Sequence, residues 1–194
     1  MTEEIKNGLS DELKKFICSM KKASIDDVHA EPMSMSDITV VNFDKIPREY
    51  SRGRSWKGVP KSNDALYVDI RKKWYFIEFK NGEVKKGEIY RKLYDSIIML
   101  LEWGIIPGFD FIRNNVTYIL VYNSKRYHRV QPSPAREETY KHFMMLADEE
   151  EQLFDIDKFE DYLFERTHTY TKEQFERFFV LPMEQEEQQN KKII

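Results

Sequence analysis

The sequence is poor in cysteine, in glycine and in long apolar runs. Its 194 residues include one cysteine, Cys18, and seven glycines. A single cysteine excludes an internal disulfide and any zinc site built from several cysteines. No apolar run approaches the ~20 residues that span a bilayer, and the opening segment TEEIKNGLSDELKK lacks the apolar core of a signal peptide. We therefore expect a cytoplasmic protein with no membrane partner.

Apolar and aromatic residues are present in the proportions of a folded protein. They make up 41% and 14% of the chain, respectively, which argues against global disorder. The length predicts one domain over residues 1–183. Within it we expect a core over about residues 10–125, a helical C-terminal region over about 136–183, and a disordered tail over 184–194.

Charge is divided unevenly along the chain. Between Lys45 and Lys92 there are 14 Lys and Arg against 6 Asp and Glu, whereas between Glu137 and Glu187 there are 5 against 16. The basic block is typical of a surface that binds a polyanion. Two other interpretations stay open, namely that the acidic third neutralises the basic block within the fold, or that solvated faces simply segregate.

Hydrophobic spacing predicts a mixed sheet with a long crossover helix. The expected elements are an amphipathic helix Ser10–Ala23, a strand Ile38–Phe43, a loop over residues 47–63, a hairpin of strands Asp64–Ile70 and Trp74–Lys80, a helix over about Val84–Trp103 and a buried strand Val116–Tyr122. This order predicts an α/β (α+β) fold whose long helix joins two parallel strands.

The acidic third is expected to form a helical cap on the same domain. Arg136–Ala147 and Asp157–Phe164 have helical patterns, and Thr171–Gln174 (TKEQ) matches a capping box that opens a further helix.

Three charged residues converge at one end of the predicted hairpin. Asp64 begins the first strand, and Glu78 and Lys80 share one face at the end of the second. The start of the first strand lies beside the end of the second, so Asp64 should be a cross-strand neighbour of the Glu78–Lys80 segment. Two close carboxylates favour a hard divalent cation, and a neighbouring lysine can orient water and offset charge in a transition state. The pattern favours phosphodiester hydrolysis.

After Asp64 come thirteen residues and then Glu78-Phe79-Lys80, on a predicted hairpin that is followed by a helix and a strand. This pattern resembles the PD-(D/E)xK nuclease superfamily. The resemblance covers about Ser62 to Tyr122 and implies a restriction-endonuclease-like core. It implies a Mg²⁺- or Mn²⁺-dependent nuclease acting on DNA or RNA. Asp64, Glu78 and the Phe79 carbonyl would ligate the metal, and Lys80 would be the catalytic lysine.

Other positions of the family pattern match less fully. Arg91 or Lys92 would supply the basic residue that many members carry on the following helix. Asn63 stands where the family name has proline, a position that varies. Glu12 is the candidate for the glutamate that many members use from their first helix. Because nucleases that cut both strands commonly dimerise, a homodimer is a further expectation.

Basic side chains near this pattern are candidates for nucleic-acid contact. The loop carries Arg and Lys interleaved with Tyr50 and Trp56, as in surfaces that bind phosphates and stack bases. The candidates are Arg52, Arg54, Lys57, Lys85, Arg91 and Lys92.

Several structural readings compete with the catalytic one. Glu78 and Lys80 could be a strand-end ion pair. Asp69 competes for the role of Asp64, although the alternation of side chains along its strand favours a solvent-facing position or a contact with the turn. His168 has no companion at ligand spacing, nor does His128, so both are read as ordinary side chains. The leading alternative function is a catalytically silent nuclease-like fold that serves as a protein-interaction or regulatory module. A third possibility is an unrelated α+β protein in which the charges of the hairpin are structural.

Overall fold

A central mixed sheet organises the chain in a computed structural model that describes residues 1–26, 30–126 and 150–191. The strands in chain order are β1 (Ile17–Ser19), β2 (Ile25–Asp26), β3 (Glu31–Pro32), β4 (Thr39–Asn42), β5 (Ala65–Val68), β6 (Trp74–Lys80), β7 (Val116–Tyr122) and β8 (Arg166–Thr171). Six of them form one sheet in the order β1-β4-β5-β6-β7-β8, and β2 and β3 form a separate ribbon. The expected α/β class is confirmed.

Helices cover both faces of this sheet. They are α1 (Glu3–Gly8), α2 (Asp11–Lys14), α3 (Met20–Ala23), α4 (Ile46–Tyr50), α5 (Lys86–Glu102), α6 (Phe109–Asn115), α7 (Lys172–Phe175), a π-helix (Glu176–Val180) and α8 (Leu181–Lys191). None of the helices in the described ranges is long and apolar enough to cross a membrane.

The predicted hairpin is present and is closed by an aspartate. β5 and β6 are antiparallel, with Val68 opposite Trp74. Asp69 Oδ1 accepts hydrogen bonds from the backbone N–H groups of Arg71 and Lys73, at 2.9 and 2.8 Å. A carboxylate that satisfies turn amides explains how the turn at residues 71–73 (RKK) forms without the Asn-Gly pair that tight hairpin turns favour. Asp69 therefore has a structural role at the end of the hairpin opposite to Asp64.

The predicted crossover is confirmed. β6 and β7 are parallel over their full lengths, from Trp74 beside Val116 to Lys80 beside Tyr122, and α5 lies between them in the chain. All seven residues of β7 are buried, as a central strand requires. Gly104 follows α5 with a φ of +66°, a conformation that glycine adopts at little cost.

The two faces of β6 pack against different helical layers. Glu78 faces α5, whereas Phe79 and Tyr75 point to the opposite side. There, Phe79 packs edge-on against Phe175 with ring centroids 5.5 Å apart, and Tyr75 packs against Phe179 at 5.1 Å. The Glu78 side chain, near the end of β6, is thus enclosed between α5 and the sheet.

The predicted helix Ser10–Ala23 is wrong as a continuous element. It is divided into α2, β1 and α3, because Ile17–Ser19 pair antiparallel with β4. Leu13 and Met20, which suggested the helical stripe, are both fully buried. The apolar spacing indicated burial correctly but not the backbone conformation between the two residues. The basic segment at residues 47–63 also begins in α4 and becomes a loop only after Tyr50.

The C-terminal third differs from a purely helical cap. Arg136–Ala147 lies outside the described residues. Asp157–Phe164 contains only a 3₁₀ turn, Asp157–Phe159, and the next residues form β8 at the sheet edge. The capping box is confirmed, since Thr171 Oγ1 accepts from the Gln174 N–H at 3.1 Å and Gln174 Oε1 accepts from the Thr171 N–H at 2.9 Å. Residues 184–191, expected as part of a disordered tail, continue in α8.

Acidic residues of this third form ion pairs with part of the basic block. Lys73 Nζ lies 2.7 Å from Glu165, Lys86 Nζ lies 2.6 Å from Asp155, and Arg71 lies 3.3 Å from Glu186. Neutralisation within the fold therefore occurs at the hairpin turn and at the start of α5. These pairs are partly exposed, so each contributes little to stability.

Candidate active site

Asp64 and Glu78 are neighbours across the β5–β6 hairpin, as predicted. Ala65 lies opposite Ile77, which places Asp64 opposite Glu78 on the adjoining pair. The Asp64 carboxylate is fixed by the backbone, because its Oδ2 accepts a hydrogen bond from the Phe79 N–H at 2.6 Å. Glu78 therefore lies within β6, and Asp64, immediately before β5, is hydrogen-bonded to that strand.

Lys92 on α5 bridges these two carboxylates. Its Nζ lies 2.8 Å from Asp64 Oδ1 and 2.8 Å from Glu78 Oε1. The helix phase explains this position, because Lys92 follows the buried Ile89 by three residues and precedes the buried Ser96 by four. Of the two basic candidates on α5, the structure brings Lys92 to the site and not Arg91.

Lys80 completes a cluster of four charges. Its Nζ lies 2.8 Å from Glu78 Oε1, and its side chain is 16% exposed. Two carboxylates, Asp64 and Glu78, thus face two ammonium groups, Lys80 and Lys92. The close pair Glu78–Lys80 is observed as the sequence predicted, but it lies inside a larger network and is not an isolated strand-end ion pair.

The Glu78 carboxylate is completely buried, which changes its proton affinity. Burial, and then repulsion by Asp64, raises the pKa of Glu78 to about 7, although Lys92 and Lys80 oppose the shift. Both ammonium groups lie 2.8 Å from its Oε1, whereas its Oε2 has no hydrogen-bond partner among the described residues. The carboxylate is therefore under-coordinated for a buried charge.

Neighbouring groups respond to the same charges. Burial lowers the proton affinity of Lys92, but attraction to Asp64 and then to Glu78 outweighs it, so the pKa of Lys92 is raised. Burial, followed by repulsion from Glu78 and Asp64, raises the pKa of Tyr118. The Tyr118 hydroxyl has no hydrogen-bond partner among the described residues. Lys92 is thus held as a cation and Tyr118 as a neutral phenol.

The donor set at this place suits a hard cation such as Mg²⁺. Mg²⁺ needs only one or two carboxylates, because water and substrate oxygens fill its other positions. Asp64 and Glu78 supply two, and the under-coordinated Glu78 Oε2 can accept a further bond. No group of three or more His, Cys, Asp or Glu able to hold a metal occurs in the described ranges. A cation would have to compete with Lys92 for the two carboxylates.

A cleft of about 520 Å³ opens above the cluster, and we call it the main cleft. Asp64, Lys80 and Lys92 line it, and Glu78 lies behind them. Its walls come from residues 23–26, 47–48 and 59–62, together with Met33, Asp44 and residues 79 and 81 at the end of β6. The candidate catalytic groups therefore lie within a pocket and not on a flat surface.

Most of the predicted nucleic-acid contacts lie away from the main cleft. Arg52 pairs with Glu49, Arg54 lies 2.7 Å from Glu102, and Lys85 lies 3.8 Å from Glu83. Arg91 is 3.6 Å from Asp95 and lines a shallower groove of about 350 Å³. The other candidate of this loop, Lys57, is exposed and lines neither space.

Sequence reasoning missed the individual cations of the main cleft. Arg48 and Lys61 line it, although neither was among the predicted nucleic-acid contacts of the basic segment at residues 47–63. The signal for Lys61 was its position three residues before Asp64. Glu12, the first-helix candidate, is exposed and does not line the cleft. His168 pairs with Glu150 at 2.8 Å on β8, in agreement with an ordinary role.

Comparison with known proteins identifies no relative for this arrangement. The chain matches no family model, no curated protein and no solved structure. A function for the chain therefore follows only from the geometry of the described residues and from the resemblance of the Asp64–Lys80 pattern.

Proposed function

We propose that the chain is a Mg²⁺- or Mn²⁺-dependent nuclease with a PD-(D/E)xK-type site on a restriction-endonuclease-like core. One observation carries the proposal: the Lys92 ammonium lies 2.8 Å from a carboxylate oxygen of Asp64 and of Glu78. The two carboxylates thus converge closely enough to share one cation. Asp64 and Glu78, with the Phe79 carbonyl, would hold the metal, and Lys80 is the catalytic lysine.

The topology around the site supports the proposed core. The antiparallel pair β5–β6, the crossover helix α5 and the parallel strand β7 occur in the order that the resemblance implies. The acidic residues come from adjacent strands, and a basic residue, Lys92, comes from the helix that follows.

The residues of the chain have separable tasks in phosphodiester hydrolysis. A bound divalent cation supplies Lewis-acid activation of water and of a phosphate oxygen. Lys80, beside Glu78, is placed to orient the attacking water and to stabilise negative charge that develops on the phosphate. Arg48 and Lys61 line the cleft, where they can bind neighbouring phosphates.

A second candidate function is a silent nuclease-like module that binds other proteins. The observation that favours it is the balance of Asp64 and Glu78 by Lys80 and Lys92, four charges that neutralise one another without a metal. Such a cluster can be purely structural. Metal binding distinguishes the two functions, because only the nuclease requires that a divalent cation displace Lys92.

Calorimetric titration with Mg²⁺ and Mn²⁺, with cleavage of mixed DNA and RNA on the same samples, tests the proposal. We expect the wild type to bind and to cleave, and Asp64→Asn and Glu78→Gln to lose both properties. Asp69→Asn is the matched control, because Asp69 is a buried carboxylate at the other end of the same hairpin. It should keep metal binding and cleavage. A folded wild type that binds neither metal with nucleic acid present supports the silent module.

A further inference from the structure

The shape and lining of the main cleft suggest which form of nucleic acid enters it. We infer that the main cleft receives one unpaired nucleotide, so that the substrate class is single-stranded nucleic acid, with the adjoining nucleotide stacked on Trp56. The inference rests on the proposed nuclease function for the chemistry, but the binding it describes can be measured separately.

The main cleft has the size of a single-ligand site. Its volume of about 520 Å³ lies in the range of pockets that enclose one small molecule. The β2–β3 ribbon contributes Ile25 and Asp26 to one wall, and the loop before Asp64 contributes Val59 and Pro60 to the cleft as well. A nucleotide fits such a space, whereas a paired base with its opposite strand is too large to reach Asp64.

The lining combines apolar and cationic groups. Apolar side chains that can contact a base or sugar are Ile25, Met33, Val59 and Pro60, and the cations are Arg48, Lys61, Lys80 and Lys92. Three carboxylates, those of Asp26, Asp44 and Asp64, lie among them. The cleft as a whole is therefore close to neutral, which suits a short segment with one or two phosphates and not a long polyanion track.

A shallower groove continues from the main cleft, and we call it the side groove. Val59 and Pro60 line both spaces, so a strand that leaves the main cleft over these residues enters the side groove. Trp56 and Arg91 lie there. Asp95, 3.6 Å from Arg91, lines the same groove. A groove that offers an aromatic ring and a cation can bind a single strand by stacking a base and pairing a phosphate.

Trp56 is held in a fixed orientation while much of it stays exposed. The Arg54 guanidinium lies 4.5 Å from the Trp56 ring and 4.4 Å from the Tyr50 ring. Arg54 is itself held by Glu102 at 2.7 Å. Trp56 is nevertheless 48% exposed. A pre-oriented, exposed ring next to the side groove loses little conformational entropy when a base stacks on it.

Fluorescence anisotropy with a labelled oligonucleotide of ~12 nucleotides, a length within the range of single-strand sites, tests the inference. The oligonucleotide is titrated as DNA and as RNA, each single-stranded and annealed to its complement, with Ca²⁺ in place of Mg²⁺ and with a gel to verify that the strand stays intact. We expect at least one single strand to bind about tenfold more tightly than its duplex.

A pair of matched substitutions locates the binding. Lys61→Ala and Lys57→Ala remove the same charge from the same exposed loop, but only Lys61 lines the main cleft. Lys61→Ala and Trp56→Ala should each weaken single-strand binding by about fivefold or more, whereas Lys57→Ala should change it by less than about twofold.

Two results would overturn the inference. One is duplex binding as tight as single-strand binding, and the other is an equal loss of binding in Lys61→Ala and Lys57→Ala. Cleavage assays with Mg²⁺ distinguish failure of the single-strand inference from failure of the proposed nuclease function. Cleavage of duplex alone would retain the nuclease and reject the single-strand cleft. Localised single-strand binding without cleavage of any substrate would retain the cleft and reject the nuclease.

Discussion

Lys92 Nζ lies 2.8 Å from Asp64 Oδ1 and joins helix α5 to the residue that immediately precedes β5. The same nitrogen contacts Glu78 Oε1, so this ammonium occupies the position between the two carboxylates. Lys92 therefore links the sheet to the helix, and in the proposed nuclease it would also compete with the metal ion. The first two predictions separate these roles.

Removal of the Lys92 charge should destabilise the metal-free protein. Lys92→Met keeps the length of the side chain but leaves two buried carboxylates opposed by Lys80 alone. We expect a loss of about 3 kcal/mol in the free energy of unfolding, because breaking a mostly buried ion pair leaves an uncompensated charge. Urea denaturation in EDTA measures it. Arg91→Met, one residue away and paired only with Asp95 among the described residues, should cost less than about 0.5 kcal/mol.

The same substitution should strengthen metal binding. Without the competing ammonium, Asp64 and Glu78 are free to coordinate a divalent cation, and their mutual repulsion favours it. We expect Lys92→Met to bind Mn²⁺ about tenfold more tightly than the wild type in calorimetry. Mn²⁺ should also raise the thermal midpoint of Lys92→Met more than that of the wild type. Weaker binding by Lys92→Met would mean that Lys92 supports the metal site instead of competing for it.

The buried Glu78 should make stability depend on pH. Its pKa rises from the ordinary 4.5 to about 7 on folding, so the folded state retains the proton that the unfolded chain loses. The protonated Glu78 therefore makes its full contribution to the free energy of unfolding below about pH 4.5, and this contribution is lost as the pH rises through about 7. The expected loss is on the order of 3 kcal/mol.

Urea denaturation at about pH 5 and about pH 8 measures this contribution. The wild type should lose more stability than Glu78→Gln over that interval, because the amide does not ionise. Parallel pH profiles for the two proteins would show that Glu78 titrates normally. An independent check is the ¹³C carboxyl resonance of Glu78, which should titrate near pH 7 and be absent from the Glu78→Gln spectrum.

The C-terminal helix α8 should contribute to stability, although most of it falls in the segment from which a disordered tail was expected. The hydroxyl of Tyr67, a residue that is only 1% exposed, donates to Glu187 at 2.9 Å. Glu187→Ala removes the acceptor and should cost about 1–2 kcal/mol in the free energy of unfolding. Gln188→Ala, an exposed neighbour, should stay within about 0.5 kcal/mol. Equal thermal midpoints for Glu187→Ala and the wild type would place α8 outside the cooperative fold.

Local patterns predicted the part of the fold that carries the site. The hairpin, α5 and β7 were predictable because each has its own signal, namely alternation, helical spacing or a continuous apolar run. The convergence of Asp64 with Glu78 followed from the hairpin alone. The bridging role of Lys92 could not be predicted without the tertiary position of α5. Its spacing of three residues from Ile89 indicates only that it shares the inward face of the helix.

Elements that depend on distant partners were not predictable in the same way. β1 is three residues long and forms only by pairing with β4, so the helical spacing of Leu13 and Met20 gave a false continuity. β8 has few apolar side chains, and its buried positions include Thr167 and Thr169. A strand that buries threonine at a sheet edge lacks the apolar alternation by which strands are recognised.

Cleavage of nucleic acid by the wild type and by Lys80→Met decides whether the charged cluster is a nuclease site. Labelled DNA and RNA, each single-stranded and as a duplex, are incubated with each protein in Mg²⁺ and in EDTA. If Asp64, Glu78 and Lys80 form a nuclease site, the wild type cleaves only with the metal, and Lys80→Met loses at least about 10²-fold in rate while it remains folded and still binds the metal. No metal-dependent cleavage by the folded wild type, or full activity in Lys80→Met, would contradict the account.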